Sequence, residues 1–180
     1  MARPTPTPYV VGRLLDLTIT RTFGDHFYSE QLPVTIEKIF RVTQSPVMVV
    51  TFDTRSGPVN AVLKLYDRRF GPNFRTIEGK YSPHTSEDEA IWQEYVRKGM
   101  APEFLDRMEQ EQAVSLFPWS PDDYYEDSWV GRAQYEGRLQ RRVLECVDTE
   151  TATYERLTDL QGTYIPTMLA HVYMSQPLPD

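Results

Sequence analysis

The sequence predicts an α+β fold, and three observations carry the prediction. Several short segments between residues 15 and 66 alternate or run apolar as strands do. A helical seam then extends from near Arg132 to Leu160. The composition, with 180 residues, 40% hydrophobic and 25% charged, is that of a folded chain with its own core.

Residues 1–9 read as a flexible Pro/Thr tail of polyproline II character, which leaves residues 10–180 as the domain. Leu15, Leu17 and Ile19 alternate with Asp16, Thr18 and Thr20, giving a strand with one wet face. Phe23 to Pro33 carries turn chemistry. Three more strands follow at Val34–Val42, Val47–Phe52 and Asn60–Tyr66, joined by connections short enough for hairpins. The simplest assembly of these three is an antiparallel meander.

Residues 67–131 read as mainly helix and loop, opening with a polar, basic connector from Asp67 to Thr85. Ser86 is the expected N-cap of a helix to Lys98, with Glu87, Asp88 and Glu89 in the first turn, where the helix dipole favours anions. Gly99 stops it, and Pro102 opens a second short helix through Met108. Phe117 to Trp129 is an aromatic, acidic loop that includes Trp119, Tyr124 and Tyr125. The seam itself is Tyr135, Leu139, Val143, Cys146, Glu150, Tyr154 and Leu157, spaced four, four, three, four, four and three. Gly162 ends it, and Met168–Met174 reads as a last strand.

A net charge of −7 argues against nucleic acid or anionic lipid as a partner, because phosphate binding wants clustered Lys and Arg. The charges are segregated. Ser86 to Asp127 is acidic, whereas Lys64 to Arg75 and Arg132 to Arg142 are basic, which favours docking between parts of one chain. Cys146 is alone, so no internal disulfide forms. The opening residues have no apolar run of the signal-peptide kind, and no window has the length of a membrane span. A cytoplasmic or nuclear, non-secreted location is the expectation. His26, His84 and His171 are scattered without a zinc-ligand spacing, and Asp122, Asp123, Glu126 and Asp127 lack a calcium-loop pattern.

Ala61-Val62-Leu63-Lys64-Leu65-Tyr66 sets one lysine inside an apolar strand. An ammonium there must snorkel out or meet an anion. Glu150 interrupts the apolar seam and needs a cation in turn. The two therefore call for each other, with Glu145 and Glu155 as alternative partners if the helix phase differs. The bland alternative is a snorkelling lysine and a glutamate on a solvated rim. A partly buried Lys64–Glu150 pair would make Glu150→Ala cost about 3 kcal/mol.

Three segments carry a resemblance: Ala61–Phe70 (A-V-L-K-L-Y-D-R-R-F), Ala90–Met100 (A-I-W-Q-E-Y-V-R-K-G-M) and Glu150–Pro166 (E-T-A-T-Y-E-R-L-T-D-L-Q-G-T-Y-I-P). Together they resemble the kinase-like proteins of mushroom-forming fungi, related in fold to protein kinases and aminoglycoside phosphotransferases. The resemblance implies a kinase N-terminal lobe: an antiparallel sheet packed by one long helix, with the insertion between the lysine strand and that helix. It makes Lys64 the phosphate-binding lysine, Glu150 its helix partner, and ATP with magnesium the ligands.

Two departures follow. The turn Val42-Thr43-Gln44-Ser45-Pro46 has no glycine for close backbone approach, so Thr43, Gln44 and Ser45 would grip by their side chains. No segment resembles H-R-D-x-x-x-x-N or D-F-G, so the chain is expected not to be catalytic alone. The alternative function is a non-catalytic, pseudokinase-like interaction module. It would bind a protein partner or self-associate through an exposed sheet face or the acidic, aromatic insertion.

Overall fold

The structure is a computed structural model that describes residues 4–23, 27, 29–42, 44–114 and 125–174. Its elements are β1 (Leu14–Thr22), β2 (Gln31–Ile39), β3 (Val47–Thr54), β4 (Gly57–Lys64), β5 (Thr76–Ile77), β6 (Lys80–Tyr81), α1 (Ser86–Arg97), α2 (Ala101–Val114), α3 (Trp129–Arg156) and β7 (Ala170–Met174). A 3₁₀ turn, Thr158–Leu160, precedes β7. The fold is α+β, with a curled five-stranded antiparallel sheet and three helices. The chain divides into two compact units. A helical unit holds Tyr66–Val147 with Met1–Thr5 and Val42–Ser45, and a sheet unit holds Pro6–Arg41, Pro46–Leu65 and Asp148–Asp180. The expected 67–131 insertion thus reaches further, taking most of α3 with it.

In the sheet unit the strand order is β4-β3-β2-β1-β7. The meander contains four strands, and β7 adds to the far side of β1, pairing Thr22 with Ala170. The alternation read in β1 sorts its side chains: Leu15 and Leu17 are buried, Asp16 is exposed. Their neighbours across the register, with Val34, Ile36, Met48, Val50, Phe52 and Leu63, make the apolar face of the sheet. Leu17 is 1% exposed, and cutting it to alanine would cost about 2–5 kcal/mol.

Two strand boundaries differ from expectation for physical reasons. β2 starts at Gln31 and accommodates Pro33, because β3 pairs with it only from Thr35 onward and leaves that end of β2 open on one side. β4 starts at Gly57 because the turn is only Arg55-Ser56, and Thr54 Oγ1 donates to Gly57 O at 2.8 Å. The expected free tail is also tied: Tyr9 is 3% exposed, and Arg13 donates to Pro8 O at 3.0 Å.

In the helical unit the connector before α1 contains a small β5–β6 hairpin that the sequence reading left as coil. The N-cap of α1 is Thr85, not Ser86: Thr85 accepts from Asp88 N, and the Asp88 carboxylate accepts from Thr85 N. Ser86 would need Glu89 for the reciprocal bond, and Glu89 is bonded to Arg68. Gly99, at φ 71°, closes α1 in the left-handed conformation that glycine adopts without penalty. α2 runs on to Val114 because Glu109 to Ala113 are all good helix formers.

Ile91, Trp92, Tyr95, Ala101, Phe104, Met108 and Ala133 form one core cluster of this unit. A Cβ on Gly137 would lie 3.0 Å from both Phe104 and Trp92, so a glycine there lets α3 come close to α1 and α2. The seam residues Tyr135, Leu139 and Val143 pack with Phe74 in a second cluster, against which Cys146 rests.

Candidate functional site

The structure brings Lys64 and Glu150 together. Strand alternation turns Leu63 inward and leaves Val62 and Lys64 exposed, so the lysine emerges at the end of β4. Lys64 Nζ forms an ion pair with Glu150 Oε2 on the last turns of α3. Glu145 pairs instead with Arg141 and Arg142, and Glu155 with Arg21 at 2.7 Å. The pair is partly buried, as expected, but not enclosed. The two side chains are 36% and 33% exposed, because β4 is an edge strand. The pair belongs to the class of ion pairs worth about 0.2–1 kcal/mol, not the 3 kcal/mol of a buried one.

The same end of α3 is fastened to two other strands. Thr151 Oγ1 is hydrogen-bonded to His171 Nε2 of β7 at 3.2 Å, and Glu155 reaches Arg21 of β1. Beyond the helix, Gln161 clamps the chain: its Nε2 donates to Tyr154 O, and its Oε1 accepts from Met168 N, both at 2.9 Å. The chain that follows Glu150 is therefore held by backbone and side-chain anchors.

Gln44 is exposed and Ser45 is 4% exposed, both in the helical unit, and Thr43 falls outside the described residues. A buried Ser45 offers no hydroxyl to a ligand arriving from solvent. His26, Trp119, Asp122, Asp123 and Tyr124 also fall outside the described residues. Among those described, no group of three or more His, Cys, Asp or Glu is placed to hold a metal, and no helix is long and apolar enough to cross a membrane. A hollow lined by Gln31, Leu32, Pro33 and Asp53 lies at the opposite end of the strands from Lys64.

A second charged constellation, inside the helical unit, was not read from the sequence. Glu136 of α3 is 1% exposed. Arg75 donates to both its carboxylate oxygens, at 2.7 and 3.1 Å, and Arg68 donates a further bond to Oε2. Arg68 also bonds Glu89 at 2.6 Å, and His84 Nε2 stands 3.3 Å from the same Glu89 oxygen. Two arginines thus balance two carboxylates. Burial would lower the Arg75 pKa, but the hydrogen bond to Glu136 and the charges of Glu136, Tyr135 and Asp88 together outweigh it and raise it. Burial pushes Glu89 upward, yet His84 and Arg68 hold its carboxyl far below the ordinary carboxylate range. The only hint in the sequence was the basic run up to Arg75 facing an acidic run from Ser86. Arg132 realises the same complementarity with Glu87 and Asp88, at 3.0 and 2.7 Å.

The residues thus define an α+β protein with an accessible lysine–glutamate pair at a sheet edge and a closed ionic cluster among its helices. No family model, no curated protein and no solved structure matches the chain.

Proposed function

We propose that the chain is the nucleotide-gripping lobe of a kinase-like phosphotransferase of the mushroom-type fungal family that its motifs resemble. Lys64 meets the phosphates of ATP, and Glu150 orients Lys64. Magnesium arrives with the nucleotide, since no carboxylate here matches a metal-holding loop. One observation carries the reading: a strand lysine paired to a glutamate of the long helix, open enough for an anion to reach it. No residue matches a catalytic base, so the lobe binds without transferring phosphate.

Titration calorimetry with Mg-ATP tests this. A half-pocket with one charged contact should bind at about 0.1–1 mM, or roughly 4–5.5 kcal/mol. Lys64→Met should abolish the heat, and Glu150→Gln should weaken it. Micromolar binding would favour a self-sufficient nucleotide-binding protein, and Lys64-dependent turnover of ATP would overturn the non-catalytic part.

A second reading has its own observation. β4 is an edge strand on which Val59 and Val62 are 37% and 64% exposed, a combination that invites another chain. No binding of Mg-ATP at several times the expected Kd, together with concentration-dependent association in sedimentation, would replace the nucleotide reading with an interaction module.

A further inference from the structure

The N-terminal segment is pinned at a threonine. Thr5 N donates to His84 O at 2.8 Å, and Thr5 Oγ1 is hydrogen-bonded to His84 Nδ1 at 2.9 Å. Pro4 forms an antiparallel bridge with Thr85, the residue that caps α1. The imidazole is 3% exposed, so the Thr5 hydroxyl closes over a buried ring. Thr5 is followed by Pro6 and Thr7 by Pro8, the hydroxyl-then-proline order in extended backbone that proline-directed kinases accept. The two threonines differ in their wiring. Thr7 is exposed, and its Oγ1 accepts from Tyr9 N at 3.4 Å, whereas Thr5 is half-buried and built into the fold.

We infer that Thr5 is a phosphorylation site whose modification releases the N-terminal segment from His84 and from the start of α1. In the transfer, Thr5 Oγ1 bonds to the γ-phosphorus of ATP and the bridge to the β-phosphate breaks. ADP leaves, and the hydroxyl proton passes to the base of the modifying kinase. The product carries about −1.5 to −2 charge and three acceptor oxygens where one hydroxyl stood 2.9 Å from a buried ring. Among the described residues, the arginines beside the start of α1 are already taken. The arginines that bond the first turn of α1, Arg68 and Arg132, are engaged by Glu89, Glu87 and Asp88, and the Asp88 N–H is taken by Thr85. The phosphate therefore loses a hydrogen bond, gains like-charged neighbours, and detaches. This inference stands independently of the nucleotide reading.

The test uses the full chain, Mg-ATP and a mitogen-activated-type, proline-directed kinase. Mass spectrometry locates the phosphate, and amide exchange at Thr5 reads the clasp. The Thr7→Ala variant should take phosphate on Thr5, and exchange at its amide should rise about tenfold or more. Phosphate on Thr5 with unchanged exchange overturns the inference, and so does a Thr7→Ala chain that stays unmodified at Thr5. Thr5→Val, checked for a native circular dichroism spectrum, should show no kinase-dependent rise in exchange along residues 4–9. A rise in that variant would assign the opening to Thr7 and also overturn the inference.

Discussion

Glu136 and Glu150 stand on the same helix, and each accepts from a basic side chain that lies much earlier in the chain. Glu136 is 1% exposed and needs two arginines to compensate its lost hydration, whereas Glu150 keeps a third of its side chain in water and pairs with a lysine. Burial decides what each can do. A carboxylate enclosed by fixed guanidinium groups cannot change partners without a large penalty, so it specifies structure. A half-exposed pair can open cheaply, and a lysine that exchanges a carboxylate for a phosphate must do so.

Glu136→Ala breaks the comparison at its strongest point. It leaves Arg75 and Arg68 buried without their shared anion and should cost about 3–5 kcal/mol in urea denaturation. A loss under 1 kcal/mol would mean that water reaches the cluster and that the two sites do not differ in kind. Next in size is Glu89, bonded to a charged arginine and expected to lose about 1.5–3 kcal/mol on Glu89→Gln. Its folded pKa is depressed, so its contribution is complete well above the unfolded value of about 4.3 and fades as pH falls below it. Stability measured from pH 7 down to 2.5 should therefore drop more steeply in the native chain than in Glu89→Gln. Parallel curves would show that the depressed pKa is not what holds this corner.

Thr85→Ala supplies a yardstick between the two sites, since it removes a capping box without touching either cluster's carboxylate and should cost about 1 kcal/mol. The smallest effect belongs to Glu150→Ala, about 0.2–1 kcal/mol, and it should shrink further in 1 M salt, where charges are screened within about 3 Å. A salt-independent loss above 2 kcal/mol would place Glu150 with Glu136 and leave no exchangeable pair.

Periodicity made the secondary structure legible, and distance in sequence hid the ionic cluster. The spacing of Tyr135, Leu139 and Val143 marks residues that are 2%, 0% and 2% exposed, and it carried on correctly to Glu150. Leu15 and Leu17 were equally plain. Glu136 was passed over because it adjoins the seam without belonging to its repeat, and its partners lie 68 and 61 residues upstream in a stretch that reads as polar connector. Nothing local marks an arginine that will be buried by a distant carboxylate. The exposure of Lys64 was misjudged for a related reason: apolar neighbours in a strand suggest burial, but only the strand order reveals that β4 lies at an edge. The Pro/Thr tail was read from composition alone, which has no way to register Tyr9 in the core or Thr5 on His84.

The pairing of β7 with β1 has a consequence for the time course of folding. Thr22 meets Ala170 only after α1, α2 and α3 have been synthesised between them. Closing so long a loop costs about 4–5 kcal/mol of chain entropy before the new strand is rewarded. The β1–β4 hairpins and the α1–α2–α3 packing close far shorter loops and should form earlier on that ground. Refolding should then show a slow final phase in which β7 locks on, and until that phase ends the free edge of β1 stays open to strands of other molecules.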